Sequence, residues 1–222
     1  MFEVPTYLVG SLNTQGRLLI AQGDLDGAER VLQKAAKLMQ KSVCWPPFHW
    51  ENESYFVKLW LAEGDLPRAD RWVQEHQTSA SESSSFAQEA YEIACARIFI
   101  AQGRFNEAVD LIGRLGKFAL AGGRNGRLIE IRVLEALAQK AIGEREKSFT
   151  ALEQALLLGE GEGYLRVFLD EGETMRLLIH EFQGQLNSPE SKNNPNTRLS
   201  DYVDHLLAIF NETATLNKTT TR

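Results

Sequence analysis

The 222-residue sequence is poor in the residues that build disulfide frameworks, metal sites and nucleic-acid surfaces. It has 2 cysteines and 4 histidines, too few for a disulfide-stapled fold or a four-ligand zinc site, so we expect a reducing, cytoplasmic compartment. Lysine and arginine number 24 against 30 aspartates and glutamates, a formal net charge of −6. Because phosphate backbones are bound by clustered cations, this balance argues against a nucleic-acid surface in the chain.

Long apolar runs are missing as well. No segment approaches the roughly 18 consecutive apolar residues of a membrane helix, and the N-terminal stretch lacks the basic and apolar regions of a secretory signal. Hydrophobic residues nevertheless make up 43% of the chain, enough to build a core. We therefore expect a soluble intracellular protein that does not contact the membrane.

The sequence contains no motif of an enzyme or of a cofactor site. None of its histidines has a second histidine three or four residues away, as a helical zinc site would require. The stretch "GRLGKF" (113–118) resembles a phosphate-binding loop, but Phe118 follows Lys117 where that loop needs serine or threonine. We expect no catalytic residue, no metal and no cofactor.

What the sequence does contain is a repeated phrase, "AQGDLDGAERVL", which returns in altered form three times. Its glycines, Gly23, Gly64, Gly103 and Gly143, are separated by 41, 39 and 40 residues. A small residue stands two positions before and five positions after each glycine, and an apolar residue stands nine after. We interpret the glycine as the end of one helix and the acidic residue that usually follows it as the start of the next. The small residues would let the two helices approach closely.

A period of about 40 residues predicts helix pairs that stack on their neighbours. The predicted fold is all-α: a right-handed superhelical solenoid of antiparallel helix pairs, similar to tetratricopeptide repeats (TPR). Because the TPR period is about 34 residues, the excess must lie in longer helices or in loops such as 76–85. We predict a repeat domain over 1–182, a flexible linker over 183–198, an amphipathic helix over 199–210 and a disordered tail over 211–222.

Three basic residues recur at one position of the repeat. Arg17, Lys58 and Arg97 each stand six positions before a turn glycine, where the fourth repeat has Leu137. First helices line the concave side of a right-handed stack, so these cations could bind a carboxylate, a phosphate or an acidic peptide. The alternative is that they are solvated helix charges, paired with the acids Glu51, Glu92 or Glu130.

An aromatic segment, "CWPPFHWENESYF" (44–56), lies between the first two repeats. Pro46 and Pro47 predict an extended or turn geometry there. Trp50 and Tyr55 are candidates for flat contacts with a ligand. The alternative is that the aromatic rings fill an inter-repeat loop.

The closing segment "LEQALLLGEGEGYLRVFLDEGETMRLLI" (152–179) carries a family resemblance. Preceded by "AQGRFNEA" and followed by "DYVDHLLAIF", it resembles the repeat region of MalT-like regulators, the large ATP-binding members of the LuxR-type transcription factors. The resemblance extends over residues 17–210. It implies an ATPase module, a helical repeat domain and a DNA-binding helix-turn-helix in that order.

In such regulators the repeat domain receives an inducer or a regulatory protein and controls ATP-dependent self-association. The resemblance therefore implies a non-enzymatic sensing domain whose partner is a small-molecule inducer or a regulatory protein. DNA would be reached only through a helix-turn-helix module that this chain lacks, so we expect an excised or natural fragment. The alternative is a stand-alone TPR-like scaffold for protein–protein interaction.

Overall fold

The structure, a computed structural model, describes residues 3–41, 46–81, 85–187 and 197–220. These ranges hold eleven α-helices and no strand, which confirms the predicted all-α fold. The helices are α1 (Glu3–Gln22), α2 (Leu25–Lys41), α3 (Pro46–Glu63), α4 (Leu66–Ser81), α5 (Ser85–Ala101), α6 (Phe105–Ala121), α7 (Asn125–Ala141), α8 (Arg145–Glu162), α9 (Arg166–Leu169), α10 (Gly172–Leu186) and α11 (Thr197–Thr220).

The chain divides into two compact units, Met1–Arg104 and Phe105–Arg222. In unit 1, α3 packs against α1, α2, α4 and α5. In unit 2, α7 packs against α6 and α8, and the closing helices α9, α10 and α11 gather around α7 and α8. Phe168, Met175, Ile179 and Val203 are buried at this closing end and join the core of unit 2.

The four predicted turn glycines end helices in the left-handed conformation, as expected. Their φ angles are 80° at Gly23, 75° at Gly64, 75° at Gly103 and 84° at Gly143. A side chain with a Cβ is strained in this region, whereas glycine adopts it readily. The glycine therefore reverses the chain within three residues.

Acidic residues cap two of the helices that follow these turns. Asp24 Oδ1 accepts a hydrogen bond from the Gly27 amide at 2.9 Å, and Asp65 Oδ1 accepts one from the Arg68 amide at 3.1 Å. Each bond satisfies an amide that has no partner within the first turn of a helix. Glu144 makes no such side-chain cap.

The same turn also occurs between repeats in unit 2. Gly123, which follows α6, has a φ angle of 63°, and Gly163, which follows α8, has one of 70°. Together with Gly103 and Gly143 they place a left-handed glycine at every twentieth residue from 103 to 163. The structural period from residue 103 to residue 163 is therefore a single helix with its turn.

The small residues of the repeat have two different surroundings. Ala28, Ala69 and Ala108, five residues after the turn glycine, are fully buried and allow close helix packing, as predicted. In the fourth repeat Ser148 takes this place, and its hydroxyl donates to the Ala136 carbonyl at 2.8 Å. For the alanines two residues before the glycine the prediction was wrong: Ala62, Ala101 and Ala141 are exposed and Ala21 is half-buried.

Longer helices absorb much of the long repeat period. The helices from α2 to α8 have 16 to 18 residues. Residues 76–81 of the predicted loop are the end of α4, and residues 82–84 lie outside the described residues. Pro46 and Pro47 begin α3 instead of an extended segment, since proline is well tolerated in the first helical turn, where its missing N–H has no intrahelical partner.

The C-terminal region is more helical than the sequence suggested. α10 continues to Leu186, four residues past the predicted end of the repeat domain, and residues 188–196 of the predicted linker lie outside the described residues. The amphipathic helix predicted over 199–210 is part of α11, which extends to Thr220 through most of the predicted disordered tail.

Candidate functional site

The first helices of unit 1, namely α1, α3 and α5, form one layer. α3 packs against both α1 and α5, while α2 packs against α1 and α3, and α4 packs against α3 and α5. Each second helix therefore bridges two neighbouring first helices, as in a tetratricopeptide-like stack. We call the side of α1, α3 and α5 that faces away from α2 and α4 the inner face.

On α1 the inner face carries large apolar side chains beside polar ones. Gly16 marks the opposite side, because a Cβ at Gly16 would lie 2.5 Å from Leu32 Cδ2 on α2. Tyr7 stands nine residues from Gly16, and Thr14 and Leu18 each stand two residues from it. At 3.6 residues per turn these separations place all three across the helix from α2. Tyr7 is 71% exposed and Leu18 is 44% exposed. Large apolar side chains thus face solvent on this part of the inner face.

The three predicted basic residues lie at one register on the adjacent helices α1, α3 and α5. Arg17 and Lys58 are half-buried, and Arg97 is only 9% exposed. Arg97 is therefore not a solvated charge, whereas pairing of these cations with nearby acids stays a prediction. Of the acids considered as partners, Glu92 accepts a hydrogen bond from Gln88 at 3.2 Å and Glu130 accepts one from Arg127 at 3.0 Å.

On α3 the inner face carries a phenol and a carboxylate beside the cation. Tyr55 occupies the register of Thr14, nine residues before the turn glycine. Its hydroxyl donates to Glu51 Oε1 at 3.4 Å. Lys58, Tyr55 and Glu51 are three and four residues apart, so they follow one stripe of the helix. This stripe can both donate hydrogen bonds to a bound group and accept them from it.

A buried amide network ties α1 to α3 behind this stripe. Asn13 and Asn52 are both fully buried. Asn13 Nδ2 donates to the Phe48 carbonyl at 3.2 Å and to Glu51 Oε2 at 3.3 Å. Asn52 Nδ2 donates to Asn13 Oδ1 at 2.8 Å and to the Leu32 carbonyl at 3.3 Å. The network holds the Glu51 carboxylate in a fixed position.

In the described part of unit 1, buried polar and charged side chains lie on the first helices. Among its described residues the buried polar or charged side chains are those of Asn13, Asn52, Glu89 and Arg97, all on α1, α3 or α5. Burying such groups costs free energy unless they find partners. Purely apolar packing would join these helices at less cost, so this polarity makes the layer a candidate for a binding site.

Trp50 does not share the site of Tyr55. Its ring makes edge-on contacts with His76, at a centroid distance of 6.3 Å, and with Tyr91, at 6.4 Å. Trp72 lies within the same group, 5.4 Å from Tyr91, and donates from Nε1 to Glu53 Oε2 at 2.7 Å. These rings join α3, α4 and α5. The aromatic segment is thus helical packing material at Trp50 and inner-face surface at Tyr55.

Sequence reasoning missed four residues of this region. Asn13 and Asn52 read as ordinary polar helix positions, and only their tertiary pairing shows that they are buried. Tyr7 and Leu18 could have been found, because their spacing of eleven residues, three helical turns, places them on one side of α1.

Two titratable side chains of α5, Cys95 and Tyr91, have raised pKa values. Burial raises the pKa of the Cys95 thiol to about 11, so this thiol is protonated at neutral pH and is a poor nucleophile. Burial likewise raises the pKa of Tyr91. Within the described residues no three His, Cys, Asp or Glu side chains are placed to hold a metal ion. No described helix is long and apolar enough to span a membrane.

The helical layout and the closing segment can be compared with known proteins. A family model described as the MalT-like TPR region matches residues 8–185, most of the chain. The chain belongs to this family. The MalT-like match begins one residue after Tyr7 and ends one residue before the last residue of α10. It therefore includes nearly all of the inner face of unit 1 and of the closing helices α9 and α10.

Full-length relatives of this MalT-like chain are bacterial regulators. The HTH-type transcriptional regulator MalT of Yersinia enterocolitica is 26% identical over 202 residues, which cover 87% of this chain and 22% of the relative. The regulator of the same name from Yersinia pestis (strain Pestoides F) is 27% identical with the same coverage. The chain thus spans about a fifth of the length of the curated relatives it matches.

Proposed function

We propose that this chain is the non-enzymatic, signal-sensing domain of a MalT-like transcriptional regulator in the bacterial cytoplasm. Its inner face would bind a small-molecule inducer or a regulatory protein. Arg17, Lys58 and Arg97 would hold anionic groups of the bound molecule, and Tyr55 would add a flat contact and a hydroxyl. DNA would be contacted by another module of the regulator.

One observation carries this proposal: among the described residues of unit 1, the buried polar or charged side chains lie on the layer that bears the inner face. Glu51 is fixed there by Asn13 and by Tyr55. A binding surface of this kind is already organised before the ligand arrives, which reduces the entropy lost on binding. The family match over residues 8–185 supports the regulatory context.

The signal would be conformational. In a stack of helix pairs each repeat contacts only its neighbours, so a ligand that bridges α1, α3 and α5 changes the preferred packing of these helices. The ligand shifts the equilibrium only by the difference between its affinities for the two arrangements. Attached modules would respond to that difference by associating with each other.

A second candidate function is a scaffold that binds a protein without a small-molecule signal. The exposure of Tyr7 and Leu18 on the inner face favours it, because protein-binding surfaces expose apolar and aromatic side chains. In this case Lys58 and Arg17 would set the orientation of an acidic partner peptide.

Isothermal titration of the chain with a panel of carboxylated and phosphorylated metabolites tests the sensing function. We expect saturable heat with at least one compound, and its loss in Lys58→Glu. The matched control is Lys117→Glu, which reverses an exposed charge on α6. Thermal melting of both variants checks that they fold.

Three outcomes separate the candidates. Binding that is lost in Lys58→Glu and kept in Lys117→Glu supports the sensing function. Binding that is restricted to proteins, and weakened by Tyr7→Ala and Leu18→Ala, supports the scaffold. If Arg17→Glu and Lys58→Glu leave every binding event unchanged, the inner face is not the site.

A further inference from the structure

The outward side of α2 carries four cations that play no part in the proposed function. Arg30, Lys34, Lys37 and Lys41 are all exposed and are spaced four, three and four residues apart. At 3.6 residues per turn this spacing places them on one side of the helix, over about 16 Å. That side lies opposite Leu32, which is fully buried. We call these four residues the α2 basic stripe.

The repeat fold does not require cations at these positions. The equivalent positions on α6 and α8, counted from the turn glycine, carry mixed or neutral side chains. They are Asp110, Arg114, Lys117 and Ala121 on α6, and Thr150, Gln154, Leu157 and Gly161 on α8. Since α2, α6 and α8 have nearly the same length and follow the same kind of turn, the stripe is a property of this sequence rather than of the repeat.

The stripe is also unfavourable within its own helix. Like charges three or four residues apart repel each other on a helix surface. No acidic residue lies between Arg30 and Lys41, and no ion pair joins the stripe to an acid in the part of the chain that the structure describes. Two acids precede the stripe on α2: Glu29 pairs with Arg68 at 3.3 Å, and Asp26 stands four residues before Arg30 in the first turn. The helix dipole favours Lys41 in the last turn but not Arg30 or Lys34.

We propose that the α2 basic stripe docks an acidic α-helix of a partner protein. Cations in a straight line with a helical repeat match carboxylates that repeat every three or four residues on a second helix. The chain itself joins helices by such ion pairs: Lys140 Nζ lies 2.7 Å from Glu181 Oε1 between α7 and α10. The partner helix would lie along α2, on the side away from the inner face.

The surroundings of the stripe favour a protein over a nucleic acid. Single-stranded nucleic acids are held by cations together with aromatic rings on which bases stack. None of the large apolar side chains exposed in the described residues lies on α2. The net charge of −6 also repels a long phosphate polymer, whereas a single helix meets only the local charge of the stripe.

Binding of a synthetic helix tests the proposal. The probe is an alanine-based peptide of about 20 residues, long enough to be helical, with glutamates spaced four, three and four residues apart and a fluorophore for anisotropy. A scrambled peptide of the same composition tests whether spacing matters. We expect the full chain to bind the regular peptide more tightly than the scrambled one, and binding to weaken as salt rises.

The chain offers a matched pair of charge reversals. One double variant combines Lys34→Glu with Lys37→Glu on α2. The other combines Arg114→Glu with Lys117→Glu at the equivalent positions of α6. Each reversal adds −2, so both pairs move the net charge from −6 to −10. We expect about a tenfold loss of affinity in the α2 pair and less than about a twofold change in the α6 pair.

Neutral replacement separates charge from folding. The double variant Lys34→Gln with Lys37→Gln removes the repulsion within α2, so its thermal midpoint should not fall below that of the wild type. Its affinity for the regular peptide should lie between those of the wild type and of the α2 charge-reversal pair. Equal loss in the α2 and α6 pairs, or equal affinity for the two peptides, would overturn the proposal. Tighter binding of a DNA duplex than of the regular peptide, abolished by the α2 pair, would show a phosphate-binding surface instead and would also overturn it.

Discussion

The rings of Trp72 and His76 stack with their centroids 5.0 Å apart and their planes at 28°. His76 Nδ1 also lies 3.0 Å from the Trp72 carbonyl oxygen, one turn earlier on α4. Trp72 is 3% exposed, and its other neighbours come from α3 and α5. The pair therefore joins a second helix to the two first helices that it bridges.

Replacing this ring should destabilise unit 1. We expect Trp72→Ala to lower the free energy of unfolding by about 3–5 kcal/mol, because it removes a buried aromatic side chain and leaves a cavity. Trp72→Phe keeps a ring but leaves Glu53 without its indole donor, so a smaller loss of about 1–3 kcal/mol is expected. Urea denaturation measures both. A loss below about 1 kcal/mol in Trp72→Ala would contradict the packing role.

The left-handed turns make a specific demand on sequence at Gly143. Its φ angle is 84°, and no atom lies within 4 Å of a Cβ built there, so Gly143→Ala tests backbone strain alone. We expect it to cost about 1–2 kcal/mol. The control is Gly184→Ala in α10, where φ is not positive and space is also open; helix propensity predicts up to about 1 kcal/mol of stabilisation there. Equal effects on the thermal midpoint would contradict the strain argument.

Helix caps differ between repeats in a way that mutation can detect. Asp24→Ala should cost about 0.5–2 kcal/mol, because Asp24 accepts the Gly27 amide at the start of α2. Glu144 holds the same place before α8 but forms no side-chain cap, so Glu144→Ala should change stability by less than about 0.5 kcal/mol. Thermal unfolding compares the two. Similar losses in both variants would mean that Asp24 acts through its charge and not through its hydrogen bond.

The buried thiol of Cys95 should make stability depend on alkaline pH. Burial raises its pKa from 9.0 to about 11 in the folded chain, so between these values the folded state retains a proton that the unfolded state loses. Stability from this group is complete below pH 9 and falls as pH rises toward 11. We expect a loss of about 1 kcal/mol between pH 8 and pH 10.

Cys95→Ala isolates that effect. Denaturation at several pH values gives the slope of the free energy of unfolding against pH for the wild type and for Cys95→Ala. In the difference between these slopes the titration of other groups cancels, except that of Tyr91, which contacts Cys95. The wild type should lose more stability with rising pH than the variant. Parallel slopes would show that Cys95 titrates alike in the folded and unfolded states.

The repeat could be predicted from sequence at positions where the local structure favours one residue type. Gly23 and Gly64 are required by positive φ angles, Asp24 by an amide in need of an acceptor, and Ala28 by close helix packing. These demands involve only a few neighbouring residues, so they leave a periodic trace in the sequence.

The candidate site could be predicted only in part, because it depends on where helices begin and which sides meet. Proline fits both a turn and a first helical turn, so Pro47 did not reveal that the aromatic segment is helical. As a result the sequence predicts one surface for Trp50 and Tyr55, five residues apart on α3, although they lie on different sides of the helix. The pairing of Asn13 with Asn52 joins residues 39 positions apart and has no local signal.

The twenty-residue spacing of left-handed glycines from Gly103 to Gly163 bears on how such a protein can evolve. Duplicating or deleting one period would preserve every turn, yet it would exchange the roles of first and second helices in all that follows. Residues suited to one helix layer of the stack would then be placed in the other layer, and the reverse. Only the gain or loss of an even number of periods keeps first helices and second helices in their own layers. Viable changes in array length should therefore come in steps of two helices.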